Sequence, residues 1–275
     1  MPRLPQRIVC LTTETVEVLY ALGESARIVG ISGYTVRPPE ARKEKPKVYA
    51  FTTGDIEKIL AVQPDLVLTF SDLQADIARD LIKAGVPVYA FNTRSLEDIL
   101  GMVETLGRLV GAETKAREIV GELEGQIERA RAIAAARLAQ TGHRPRVYFE
   151  EWDAPNITAV RWVSELIEIA GGRDIFPERA LSPLARDRIL ADPLEIVRRD
   201  PEIIIGSWCG KHFRPEHISA RPGWSTVAAV QSGRMHEIKS AIILTPGPVA
   251  ISEGLPLLLN IFDEPWNHAD LFRSP

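Results

Sequence analysis

Three groups of residues in this chain have the types and spacing to do chemistry. The stretch SWCGKHFRPEH, residues 207–217, gathers Cys209, His212 and His217. A structural zinc site wants four ligands in recognisable pairs, and no second pair accompanies this one, so no dedicated protein metal site is expected. Glu150, Glu151 and Asp153 form a dense acidic group, and Cys209 with His212 is a thiol–imidazole pair. Catalysis by either would need a nucleophile with a base, or paired carboxylates, held by a third orienting group that the sequence does not identify. There is no GxGxxG and no P-loop, so nucleotide chemistry lacks its phosphate cradle. The expectation is a binding protein with no catalytic residues. An enzyme relying on Glu151 or Cys209 stays open as the alternative.

Positioning such groups requires a scaffold, and the pattern predicts one. RIVCL (7–11), IVGIS (28–32), VYAF (48–51), DLVLTF (65–70) and PVYAF (87–91) read as strands, separated by helical stretches, two of which Thr12 or Thr13 and Asp55 are placed to cap, with a last helix over Ser95 to Val110. Residues 112–140, without proline and rich in strong helix formers, predict one helix of roughly 40 Å. Beyond it RVYFEEW (146–152) restarts the pattern. DPLEIVRRDPEIIIGSW (192–208) then mirrors DIEKILAVQPDLVLTF, each a short helix, a proline, an acid and an apolar strand. The reading is α/β: two Rossmann-like lobes with parallel sheets, an N-terminal lobe over 1–111 and a C-terminal lobe over 142–275, joined by one interlobe helix over 112–141.

In open α/β sheets ligands meet the carboxyl ends of the strands. That rule selects Thr13, Tyr34, Tyr49, Phe51, Ser71, Asp72, Asn92 and Arg94 in the first lobe, and Glu151, Trp152, Trp208, Cys209 and Lys239 in the second. Aromatic faces mixed with scattered hydrogen-bonding groups suit a large, partly apolar ligand. Trp162, on a helix with apolar neighbours, reads instead as core.

Composition narrows the partners. A net charge of -4 and a pI near 5.8 supply no field to recruit nucleic acid. No stretch approaches the roughly 18 uncharged apolar residues of a transmembrane helix, and the N-terminal residues, with two prolines, contain no signal-length apolar run. As written, the chain is expected to be cytoplasmic. A mature form of a periplasmic or cell-surface protein would read the same. Cys10 and Cys209 fall in different predicted lobes and are expected to be free thiols.

Across nearly its whole length the chain resembles the helical-backbone (class III) substrate-binding proteins of ABC importers, the cobalamin-binding and iron–siderophore-binding families. The residues that carry the resemblance are RIVCLTTETVEVLYALG, IVGISGYTVRPPE, IEKILAVQPDLVLTF, the long helix, and ELIEIAGGRDIF ahead of PEIII. The resemblance implies two rigid lobes with a small metal-macrocycle ligand captured unchanged in the cleft they form, and an ABC permease as partner. No intrinsic cofactor is implied. A corrinoid is the expected ligand, with a ferric siderophore or haem as alternatives, and a cytoplasmic carrier or enzyme reusing the cleft as a further one; His212 could approach a corrinoid's axial face, since imidazole suits such metals. Importer docking in the family uses a glutamate on each lobe. Glu57 fits that place, whereas Glu195 stands one residue nearer its proline.

Overall fold

The computed structural model describes residues 4–50 and 56–263. The predicted helix cap Asp55 and the predicted site residue Phe51 lie outside the described residues. The first sheet holds β1 (Ile8–Cys10), β2 (Ile28–Ser32), β3 (Lys47–Tyr49), β4 (Leu66–Phe70) and β5 (Val88–Phe91), all parallel, in the order β3-β2-β1-β4-β5. Each of these strands lies on an apolar run named above. Helices follow them at Thr13–Ala21, Ala75–Lys83 and Leu96–Val110. Ser95 caps the last of these with a full capping box to Asp98. Neither threonine at the first helix caps through its hydroxyl: Thr12 holds the N-cap position without a side-chain bond.

The second sheet is built on β6 (Arg146–Asp153), which takes β9 (Ile203–Gly206) on one side, with β10 (Met235–Glu237) beyond it. On its other side β8 (Arg173–Asp174) runs parallel to the start of β6, and β7 (Asn156–Thr158) folds back antiparallel against its end. That hairpin, with an isolated antiparallel bridge between Ile157 and Ile189, departs from an all-parallel expectation. Ile203, Ile204 and Ile205 are fully buried, and burying each stabilises by about 1.5–3 kcal/mol.

The long helix runs Glu113–Thr141. Its buried positions, Ala116, Val120, Leu123, Ile127, Ala130 and Ala134, alternate steps of four and three, so a narrow apolar stripe is covered while the charged remainder meets water. Two compact units share it, dividing at Glu124 and Gly125, and Thr245–Pro248 count with the first unit.

The duplicated proline motifs have a common physical reason. In the first unit Gln63 takes a left-handed φ of 47° before Pro64, and Asp65 accepts the backbone N–H groups of Gln6 and Arg7, both at 2.8 Å. The Arg7 guanidinium donates to the carbonyls of Val62 and Gln63. In the second unit Asp200 takes a φ of 44° before Pro201, Glu202 accepts the Arg146 N–H at 2.8 Å, and Arg146 Nε donates to the Asp200 carbonyl at 2.8 Å. Each motif ends a short helix and clamps the amino end of the central strand's neighbour, which leaves the carboxyl ends for function.

Candidate functional site

In the first sheet the strand order reverses at β1 and β4, the place where an open α/β sheet leaves a crevice at its carboxyl end. Gln74 closes the base of that crevice. Its Oε1 accepts the Phe70 N–H at 2.9 Å and its Nε2 donates to the Leu11 carbonyl at 3.2 Å, so one buried amide ties the two strand exits together. Ser71 stands there in a left-handed conformation, its hydroxyl accepting from Leu73 N–H. Arg94 lies 5.2 Å from the Phe70 ring centroid and 3.5 Å from Asp72. Beside β2 the loop bearing Tyr34, which is 68% exposed, is held by Arg42 donating to the Gly33 and Thr35 carbonyls. In the first turn of the helix after β1, the buried Glu14 carboxyl is pushed up to about 7 by burial, against the opposing pull of the Thr12 hydroxyl and its own backbone N–H.

At the exit of the second sheet a single carboxylate gathers three chain segments. Glu150, fully buried in β6 where its parallel pairing with β9 ends, accepts from both Arg221 terminal nitrogens at 2.6 and 2.9 Å, from Trp208 Nε1 at 3.1 Å and from Asn156 Nδ2 at 2.9 Å. The neighbouring Glu151 accepts from Arg188 at 2.5 Å, and Arg188 also donates to the Thr158 carbonyl. Lys211 pairs with Asp153 at 2.6 Å and Lys239 with Glu237 at 2.5 Å. Trp208 meets Phe213 edge-on with centroids 5.1 Å apart, and that ring leaves no room for a side chain at Gly206.

The candidate residues therefore fall into different classes. Tyr34, Asp72, Asn92, Cys209 and Lys239 are exposed, and Thr13, Arg94, Glu151 and Trp152 are half-buried. Ser71, like Gln74, is buried within the exit of β4. Tyr49 and Trp208 are core residues at 7% and 3% exposure: Tyr49 packs with Val9, Val48 and Ile59, and Trp208 with Tyr148, Phe213 and Trp224. They brace the exits, and the Trp208 ring in addition carries the Lys211 ammonium, 4.9 Å from its centroid. Trp162 is buried as expected, donating to the Ile243 carbonyl at 2.9 Å.

Gln74, Asn156, Arg188, Lys211 and Arg221 were not selected from the sequence. Glu150 was visible only as part of an acidic group. Its strand alternation with Tyr148 was the available signal that it points inward, since residues two apart share a face.

Of the two docking candidates, Glu57 is exposed in the first turn of the helix Ile56–Ala61. Glu195 is half-buried, bonded to Arg199 at 2.5 Å and facing Arg179 at 3.9 Å. His212 is exposed, and both cysteines are free. Among the described residues, no group of three or more His, Cys, Asp or Glu could hold a metal ion, and no helix is long and apolar enough to cross a membrane.

Comparison with known proteins locates this scaffold. A family model described as periplasmic binding protein matches residues 8–242. An uncharacterized ABC transporter substrate-binding lipoprotein of Bacillus subtilis is 25% identical over 256 residues, covering 89% of this chain and 76% of the relative. A vitamin B12-binding protein of Vibrio parahaemolyticus is 27% identical over 207 residues, covering 74% and 70%. Among solved structures, the periplasmic vitamin B12 binding protein of Vibrio cholerae superposes with a TM-score of 0.75 at 22% identity, covering 95% of this chain and 98% of that one. A periplasmic haem-binding protein of Roseiflexus superposes with a TM-score of 0.77 at 20% identity, covering 94% and 99%. These findings overturn the expectation of a cytoplasmic chain: the relatives are a lipoprotein and periplasmic binding proteins of importers, which points outside the cytoplasm. With a matched region far exceeding half its length, the chain belongs to the periplasmic binding protein family, the non-catalytic substrate-binding proteins of ABC transport.

Proposed function

We propose that this protein captures a corrinoid at the carboxyl ends of its strands and hands it, unchanged, to an ABC permease. The observation that carries this reading is the state of the charges at those ends. Arg188, Arg221, Lys211 and Lys239 each already hold a carboxylate, as do Arg94 and Arg37 in the first unit. A ligand that relies on several carboxylates, such as haem with its propionates or an acidic siderophore, gains most from unpaired cations and would have to break these pairs. A corrinoid presents a ring periphery of neutral amides. Such amides need hydrogen-bonding partners of the kind that Thr13, Ser71, Asn92 and the Tyr34 hydroxyl supply, with Trp152 as an apolar surface.

Vitamin B12-binding relatives support the same choice. Docking to a permease would fall to Glu57 and Glu195, the latter with its carboxylate held by Arg199.

Calorimetry with cobalamin, cobinamide, haem and a ferric trihydroxamate is the test. The corrinoids are expected to bind at micromolar affinity or tighter and well ahead of the other two. Binding of haem with no binding of either corrinoid at millimolar concentration would overturn the reading. A change in the corrinoid spectrum on His212→Ala would place that imidazole at the metal.

A further inference from the structure

The Lys211 ammonium lies 4.6 Å from the ring centroid of Trp152 and 4.9 Å from that of Trp208, and it is ion-paired to Asp153 at 2.6 Å. A cation from the segment after β9 is thus tethered to a carboxylate at the end of β6, across two indoles. Distances of 4.6 and 4.9 Å from one ammonium put the two indole centroids within about 9.5 Å of each other, close enough for one macrocycle to reach both where Lys211 now sits. The lysine is not needed to seat them. Trp208 is held independently by Glu150 and Phe213, and Trp152 donates through Nε1 to the Ala154 carbonyl at 3.0 Å. The Lys211 side chain itself keeps 42% exposure, so it can swing to water without crossing packed core.

We propose that Lys211 is a displaceable cover on the Trp152–Trp208 pair and the residue that sets selectivity at the second sheet's exit. A small ring or a flexible chain covers one indole at most and leaves the ammonium in place. A flat macrocycle covers both, replaces the cation on the aromatic surface and releases it to solvent. This inference deepens the macrocycle reading and rests on it for the natural ligand. Removing Lys211 removes what the ligand must displace: the cation–π contacts of a lysine that keeps 42% exposure and its ion pair with the largely buried Asp153.

Lys211→Ala is therefore expected to tighten cobinamide binding about 3- to 30-fold, the combined size of those two contacts. Asp153→Asn, which cuts the tether, is expected to tighten it less, and the double variant no more than Lys211→Ala alone. In wild-type protein the Lys211 ε-methylene protons, assigned by their loss in Lys211→Ala, should resonate upfield under both rings and move to solvent-like shifts at cobinamide saturation. Unchanged or weaker binding by Lys211→Ala, or ring-shifted methylene protons that persist with cobinamide bound, would overturn the cover. A titration with the neutral flat aromatic 1-pyrenemethanol, read by tryptophan quenching, separates the two ideas. If cobinamide and haem bind no variant while 1-pyrenemethanol binds more tightly after Lys211→Ala, the macrocycle reading falls and the cover stands. If 1-pyrenemethanol shows no gain either, the cover falls as well.

Discussion

Replacing Glu150 with glutamine changes one oxygen to nitrogen and removes the charge on which Arg221, Trp208 and Asn156 converge. Of four donated bonds, the amide can accept only those aimed at its remaining oxygen, and its own NH2 then faces donors. Removing one partner of a buried ion pair costs about 3–5 kcal/mol. The Arg221 side chain retains 17% exposure and can turn partly to water, which argues for the lower end, about 3 kcal/mol. For a cooperative unit of this size that loss corresponds to a fall in Tm of about 6–12 °C. Thermal and urea unfolding followed by tryptophan fluorescence would report it, since Trp152, Trp162, Trp208 and Trp224 all lie in the second unit. Glu165→Gln serves as the comparison. Its partner Arg161 is about half exposed, and the loss should stay near 0.5 kcal/mol. The double variant Glu150→Gln/Arg221→Gln should lose less than the two single losses added, because the second change removes the guanidinium that the first left unpaired. A Glu150→Gln midpoint indistinguishable from that of Glu165→Gln would refute the argument that this carboxylate holds the exit together.

Other consequences can be checked alongside it. Glu14 has its folded pKa raised from 4.5 to about 7, so the folded state binds this proton more tightly than the unfolded chain does. Its contribution is fully present below pH 4.5 and is lost as pH rises through about 7. Glu14→Gln, which mimics the protonated group, should accordingly stabilise the protein at pH 8 by about 3 kcal/mol and at pH 4 by little, measured as the difference in urea stability from wild type. Cys10, buried and with its thiol pushed up to about 12 by burial, should resist a thiol reagent in the native state. Exposed Cys209 should react, slowly because burial raises its thiol too, giving one titratable group folded and two in denaturant. Gly206→Ala would place a methyl 1.9 Å from Phe213 Cδ2. Displacing that ring from Trp208 should cost about 1–3 kcal/mol of overpacking and shift the tryptophan emission; an unaltered spectrum and midpoint would count against this packing.

Local patterns carried most of the fold because its longer strands and helices are announced by their own residues. The apolar runs ending at Leu11, Ser32 and Phe70, the capping box at Ser95 and the proline-free long helix all act over a few neighbours. The three-residue β7 was not foreseen, since NIT is too short to show a period and its pairing depends on β6. The site was legible only in outline. Strand exits could be named, but whether an exit residue faces solvent or core is decided by partners far along the chain. Trp208 is buried because Glu150, 58 residues earlier, takes its indole N–H, and Glu150 is neutralised by an arginine 71 residues later. Lys211 escaped notice because its importance comes from two indoles and a carboxylate that the fold, not the local sequence, brings to it.

The paired clamps, Arg7 with Asp65 and Arg146 with Glu202, sit at the amino ends of the strands, away from every residue proposed to touch ligand. This separation partitions the molecule for engineering. Exposed loop positions at the carboxyl ends can be randomised while the clamps set strand register and Gln74, Glu150, Trp208 and Arg221 are kept, so a library confined to those positions should yield folded members at high frequency. A library that includes Asp65 or Glu202 should be dominated by clones that never assemble a sheet. The same partition offers a route by which one scaffold could pass between ligands of unlike chemistry through loop replacement alone.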